Sequence, residues 1–225
     1  MNRLSREVLI KSKVDLSEST ELINKFAITH NFKITQEDAD FFQFILKKTL
    51  FLKMVCLSGN QNEIRNQMVS DLIEMIKYTV LTDKRPYYLS LRSFSENYIR
   101  LLENTPFSND HITLNVIESF FEHNTAVIDQ TAYSFFKSEY RVASTVIHYH
   151  DTTTDLKQFV STLLESSSKD TKTYERFTRL YAILELAFIN QMGETIYFSF
   201  TRRLVVLKYL LSKKSFQSIK DSIDN

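Results

Sequence analysis

Apolar residues recur along this chain at spacings of three and four, separated by short polar breaks. That period puts them on one face of a helix, and the breaks mark where helices stop. Asp15 or Ser17 can open a helix running to about His30. Thr35 precedes the acidic turn Gln36-Glu37-Asp38, a favourable helix start, and Phe41, Phe42, Ile45, Leu46 and Leu50 continue the pattern to Leu57. Gly59 can end that helix, and Asn60 can cap the next, with Glu63 three residues on as in a capping box. Ile64, Met68, Leu72, Ile73, Ile76 and Val80 mark a helix from Gln61. Asp83 to Pro86 is a break, and a helix from Tyr87 to about Asn104 is closed by Thr105-Pro106. Further helices are expected over 110–122, over 125–150 with a break near Asp129, and over 153–165. Residues 166–170 read as a linker. Beyond it lie helices over 173–192 and 194–211, divided at Gly193, and a short tail helix from Ser215.

Composition supports an all-α chain. Two glycines and two prolines in 225 residues are too few for the turns of a β-rich protein. The same scarcity leaves no glycine-rich phosphate loop. Helices of this length with short connections favour an antiparallel helical bundle. The whole of 1–225 is expected to form one domain: N-terminal helices over 1–57, a core over about 60–165 and basic helices over 169–225.

The formal net charge is +1, but residues 169–225 hold ten Lys or Arg against six acids. Arg202 and Arg203 are the candidates there for contacting nucleic acid, or they simply finish a solvated helix face. The single cysteine, Cys56, lies in the apolar run 51–57 and reads as a small buried residue. No Cys/His metal spacing is present, and no cofactor is expected. The first ten residues are too polar for a signal peptide. The apolar run Leu204–Leu211 is interrupted by Lys208 and too short to span a bilayer. No membrane association and a cytoplasmic location are expected.

The richest chemistry lies in Tyr140-Arg-Val-Ala-Ser-Thr-Val-Ile-His148. On a helix Tyr140, Ser144 and His148 stack along one face, and Arg141 shares a face with His148 seven residues later. A guanidinium, a hydroxyl and an imidazole aimed at one patch suit phosphate binding and proton transfer near neutral pH. A second candidate is the i, i+4 pair Arg92 and Glu96, flanked by apolar residues on both sides. It is either a surface ion pair or a partly buried pair whose carboxylate faces the helix bearing His148. His148, His150 and Asp151, and separately Glu118, Glu122 and His123, lack the spacing of a metal site. Phe120, Phe121, Tyr133, Phe135 and Phe136 could stack on bases or fill a core.

Taken together, Arg92-x-x-x-Glu96 followed by Tyr140-x-x-x-Ser144-x-x-x-His148 resembles the HEPN superfamily of small helical bundles. Arg141 and His148, with six residues between them, match its Arg-x(4–6)-His signature, and the resemblance covers about 61–150. Val142 departs from it, since many active members have Asn or Asp directly after the arginine. Tyr149 and His150 also stand where a small residue would be expected to follow the histidine. The resemblance implies a metal-independent endoribonuclease of a prokaryotic anti-phage or toxin–antitoxin system, working as a homodimer with RNA as substrate. An antitoxin or defence-system protein is then a further partner. In that reading His148 transfers the proton and Arg141 binds the scissile phosphate. Tyr140 and Ser144 orient them, and Glu96, neutralised by Arg92, supports from the neighbouring helix. The alternative is a non-catalytic helical subunit of the same kind that binds a protein partner or nucleic acid.

Overall fold

The computed structural model describes residues 3–106, 111–147 and 172–224, and they form nine α-helices with no β-strand among them. These are α1 Arg3–Thr29, α2 Gln36–Met54, α3 Asn60–Val80, α4 Lys84–Leu102, α5 Leu114–His123, α6 Gln130–Ile147, α7 Lys172–Phe200, α8 Leu204–Leu210 and α9 Lys213–Asp224. The chain is therefore an all-α bundle. His148, His150, Asp151, the helix expected over 153–165 and the linker over 166–170 fall outside the described residues.

Several boundaries follow from the local chemistry. Thr35 caps α2 with a full capping box: its hydroxyl accepts the Asp38 N–H, and the Asp38 carboxylate accepts the Thr35 N–H at 2.7 Å. The break at Asp129 is also real, because its carboxylate caps α6 by accepting the Ala132 N–H at 2.7 Å. Other expectations need correction. α1 begins at Arg3, twelve residues before Asp15, because Leu9, Ser12, Leu16, Ile23 and Ala27 sustain one inward stripe through both candidate caps. α2 stops at Met54 rather than Leu57. Val55 takes the buried place, and Cys56 is exposed, not buried. Gly59, in the left-handed region at φ 52°, is the residue before α3, and Asn60 makes no cap, its amide donating instead to the Thr105 carbonyl. The division expected at Gly193 is present as a kink: the backbone leaves helical geometry at Met192 (φ −121°, ψ 18°), next to the glycine. The second half, expected to run to Leu211, is broken over residues 201–203.

The core is built on aromatic rings from α2, α4 and α7. Phe41, Phe44, Lys48 and Phe51 of α2 meet Tyr174 or Phe177, Tyr181, Glu185 and Phe188 of α7, so these two helices run in the same direction in constant register. Phe94 and Tyr98 of α4 pack on the same α7 rings, stacked on or edge-on to Phe177, Tyr181 and Phe188. Phe51, Phe94, Tyr98, Tyr181 and Phe188 are fully buried, each worth about 1.5–3 kcal/mol in burial, with a further 0.5–1.5 kcal/mol or so for well-placed ring pairs. Phe120, Phe121 and Phe136 belong to this core, while the guanidinium of Arg179 covers the ring of Phe135. No described helix is long and apolar enough to cross a membrane.

Candidate functional site

α4 is the central helix. From Ser90 to Leu102 every residue but Ser93 is buried, the polar ones included, because α3, α5, α6 and α7 surround it. Polar side chains on such a helix must find partners. Along the α3 side they do so as a ladder. Ser90 donates to Glu74, and Ser93 donates to the Asp71 carboxylate at 2.8 Å, so α4 runs back along α3. Gln67 also donates to Asp71 at 2.8 Å. Burial nevertheless pushes the Asp71 carboxyl up to about 6; hydrogen bonds from Gln67, Ser93 and Asn97 only partly oppose it, and the Glu74 charge adds to it.

On the α6 side stands the chemistry of interest. Arg92 and Glu96 are both buried, and Arg92 Nε donates to Glu96 Oε1 at 2.8 Å. The Tyr140 hydroxyl donates to the same oxygen at 2.6 Å and lies 3.3 Å from Arg92 Nε, whose guanidinium also covers the Tyr140 ring. The second carboxylate oxygen, Oε2, faces His111 Nδ1 at 3.1 Å and accepts the Ile112 N–H at 3.4 Å. Glu96 thus gathers four donors from three parts of the chain. An ionised carboxylate only accepts, so His111 presents a protonated Nδ1 to it. Desolvation pulls Arg92 down, but the hydrogen bond and charge of Glu96, with Tyr140, outweigh it and leave the guanidinium above its ordinary range. Burial first, and then the Glu96 hydrogen bond and charge, hold the Tyr140 phenol well above the usual tyrosine range, so it stays a neutral donor.

Of the residues expected at the site, Arg92, Glu96 and Tyr140 are brought together. Arg141 follows Tyr140 on α6, and its side chain is exposed. Ser144 lies one turn further, but its hydroxyl donates to the Tyr140 carbonyl at 2.9 Å. Continuing α6 by one residue would reach His148, which is outside the described residues. Arg203 is held elsewhere: its guanidinium donates twice to the Ser199 carbonyl at 3.1 Å, closing the end of α7, while the Arg202 side chain is exposed. Glu118 pairs with Lys137 and His123 with Glu103, so they do not converge. Among the described residues no group of three or more His, Cys, Asp or Glu is placed to hold a metal ion.

Sequence reasoning missed His111. Nothing in its surroundings signals a role, because its partner lies fifteen residues back on another element. It also missed two ion pairs, the buried one of Lys48 with Glu185 at 2.5 Å and the half-buried one of Glu139 with Arg176 at 2.9 Å. Two surface depressions, of about 480 and 630 Å3, lie away from Glu96, the first between α5 and α6 and the second between α2 and α7. Neither is lined by Arg92, Glu96 or Tyr140, and the geometry of the buried carboxylate is the better guide to chemistry here. Compared with known proteins, the chain matches no family model, no curated protein and no solved structure.

Proposed function

We propose that this protein is a metal-independent endoribonuclease of the HEPN type, with Arg141 and His148 as its reacting pair, acting in a prokaryotic anti-phage or toxin–antitoxin setting. The observation that supports the reading is the Arg92–Glu96–Tyr140 network, in which a buried carboxylate ties α4 to the helix that carries Arg141. In this mechanism the RNA 2′-hydroxyl gives its proton to His148 and attacks the adjacent phosphorus, while the P–O5′ bond breaks; the products are a 2′,3′-cyclic phosphate and a 5′-hydroxyl, whose oxygen takes the proton back from the imidazolium. Arg141 stabilises the developing charge, and a second copy completes the cleft. Glu96 and Arg92 act through Tyr140 by fixing the pitch of α6, and are positioning residues. A cytoplasmic location and an RNA substrate belong to the same proposal.

The second reading, a non-catalytic helical subunit that binds a protein partner, is favoured by one specific contact. The Ser144 hydroxyl is engaged by the Tyr140 carbonyl, so one of the residues meant to orient a phosphate is already committed. The two readings separate in one experiment: incubation of total RNA with purified protein in EDTA, with wild type beside Arg141→Ala and His148→Ala. Cleavage by wild type, lost in both variants at unchanged circular dichroism, is the expected result. Intact RNA in every lane transfers the assignment to the partner-binding module.

A further inference from the structure

Two stretches of sequence are free of acids. Residues 41–62 carry three lysines, and residues 195–220 carry six Lys or Arg, with no Asp or Glu in either. They are about 150 positions apart, yet α2 packs against α8, and α1 packs against both. The Ser5 hydroxyl of α1 donates to the Arg202 carbonyl at 2.6 Å, which pins the start of α1 to the junction between α7 and α8. At the centre Lys13 of α1 and Lys47 of α2 both lie over the ring of Tyr209 on α8, at 5.5 and 4.9 Å from its centroid. Arg6, Arg202 and Lys208 are exposed around them.

No carboxylate among the described residues pairs with Lys13, Lys47, Arg6, Arg202 or Lys208. On α1, Glu7, Asp15 and Glu18 lie more than about 100° round the helix from Lys13, and Glu21 is two turns on and about 80° round. On α2 the acid sharing Lys47's face is Asp40, two turns away and held by Gln36. Gathering like charges from three helices without an acid between them opposes folding, and the Tyr209 ring offsets only part of that repulsion. A charge arrangement of this kind gains its stabilisation when a polyanion arrives.

We infer that this face of α1, α2 and α8 binds single-stranded RNA, its phosphates taking Lys13 and Lys47 and a base taking the Tyr209 ring that the ammoniums leave. The aromatic ring at the centre of the cations favours a single strand, whose bases are open to stack, over a duplex or a lipid surface. RNA rather than DNA rests on the endoribonuclease reading; the electrostatics do not. The test is fluorescence anisotropy in EDTA with a labelled 2′-O-methyl oligoribonucleotide of about 20 bases, which cannot be cleaved through its 2′-oxygen, over a salt series. Failure of cleavage is then separable from failure of binding.

Wild type should bind with an affinity that falls steeply with salt. Lys13→Ala with Lys47→Ala should weaken binding about tenfold or more and flatten the log–log salt slope by roughly 1.4, or about 0.7 for each phosphate no longer neutralised. Tyr209→Leu should weaken it about tenfold at every salt concentration and leave the slope alone. The lysine variants should melt no lower than wild type, since they relieve like-charge repulsion, and Lys13→Gln with Lys47→Gln repeats the test with longer side chains. Affinity and slope unchanged in the folded lysine variants would overturn the inference. So would an oligonucleotide that does not bind while phosphatidylserine vesicles do, which would make this a membrane-facing surface.

Discussion

Glu96 shows what one buried charge demands. Its two oxygens serve Arg92, Tyr140, His111 and the Ile112 amide, and removing the charge takes from a buried guanidinium the carboxylate it donates to. Glu96→Gln should destabilise the fold by about 3–5 kcal/mol, read as a large drop in melting temperature; a loss under about 1 kcal/mol would mean that Arg92 finds water. Asp71 makes a pH-dependent statement. Its folded pKa of about 6 lies above the ordinary 3.8, so the native state takes up the proton more readily than the unfolded chain. Its contribution is favourable below pH 4 and is lost as pH rises through 6, a swing of roughly 3 kcal/mol. The stability difference between wild type and Asp71→Asn should therefore move in favour of the variant between pH 4 and 7, measured by urea unfolding at each pH. A difference that stays flat across that range would show Asp71 to be ionised in the fold at every pH tested. The i, i+4 spacing of Arg92 and Glu96 was legible in the sequence, and so was Tyr140 as a member of the stack. His111 was not, because a loop residue carries no period that could announce its partner.

At the scale of elements, pairing between distant helices matters more than the helices themselves. Lys48 on α2 reaches Glu185 on α7 in the core, and Ser215 at the start of α9 donates to the other oxygen of the same carboxylate at 3.1 Å. One carboxylate thus joins three helices. Lys48→Met should cost about 3–5 kcal/mol by stranding Glu185, whereas Lys48→Met with Glu185→Leu should recover most of it, since two apolar side chains fill the space without a desolvation penalty. Guanidinium unfolding of the two single variants and the double variant measures the coupling; additive losses would deny that the pair acts as a unit. Helix ends were read best where a side chain did the capping, as at Thr35 and Asp129. They were misread where packing overrode a start signal, as at Asp15 inside α1. A cap contributes about 1 kcal/mol, and a buried stripe along a 27-residue helix contributes more.

For the whole molecule, the sequence suggested a core over about 60–165 with helices added on both sides. The aromatic packing argues for one unit. Phe94 and Tyr98 of α4 bury against Phe177, Tyr181 and Phe188 of α7, and α2 follows α7 in register. Residues 60–165 expressed alone should therefore show no cooperative thermal transition, because the rings of α4 would face water. A sharp two-state melt of that fragment by calorimetry would establish it as a separate domain.

What the sequence determined by itself is local. Scarce glycine and proline, the three-and-four period and the side-chain caps are effects within one or two turns of chain, and they specify an all-α protein whose helices largely fall where expected. Only the tertiary structure decided which charges are buried and with whom. Glu96 meets His111, Lys48 meets Glu185, and Lys13 and Lys47 meet over Tyr209 because packing faces, not sequence neighbours, choose these partners. Cys56 is the converse case: an apolar run foretold burial, but the helix ended two residues before it, and the next apolar side chain, Val55, took the place inside.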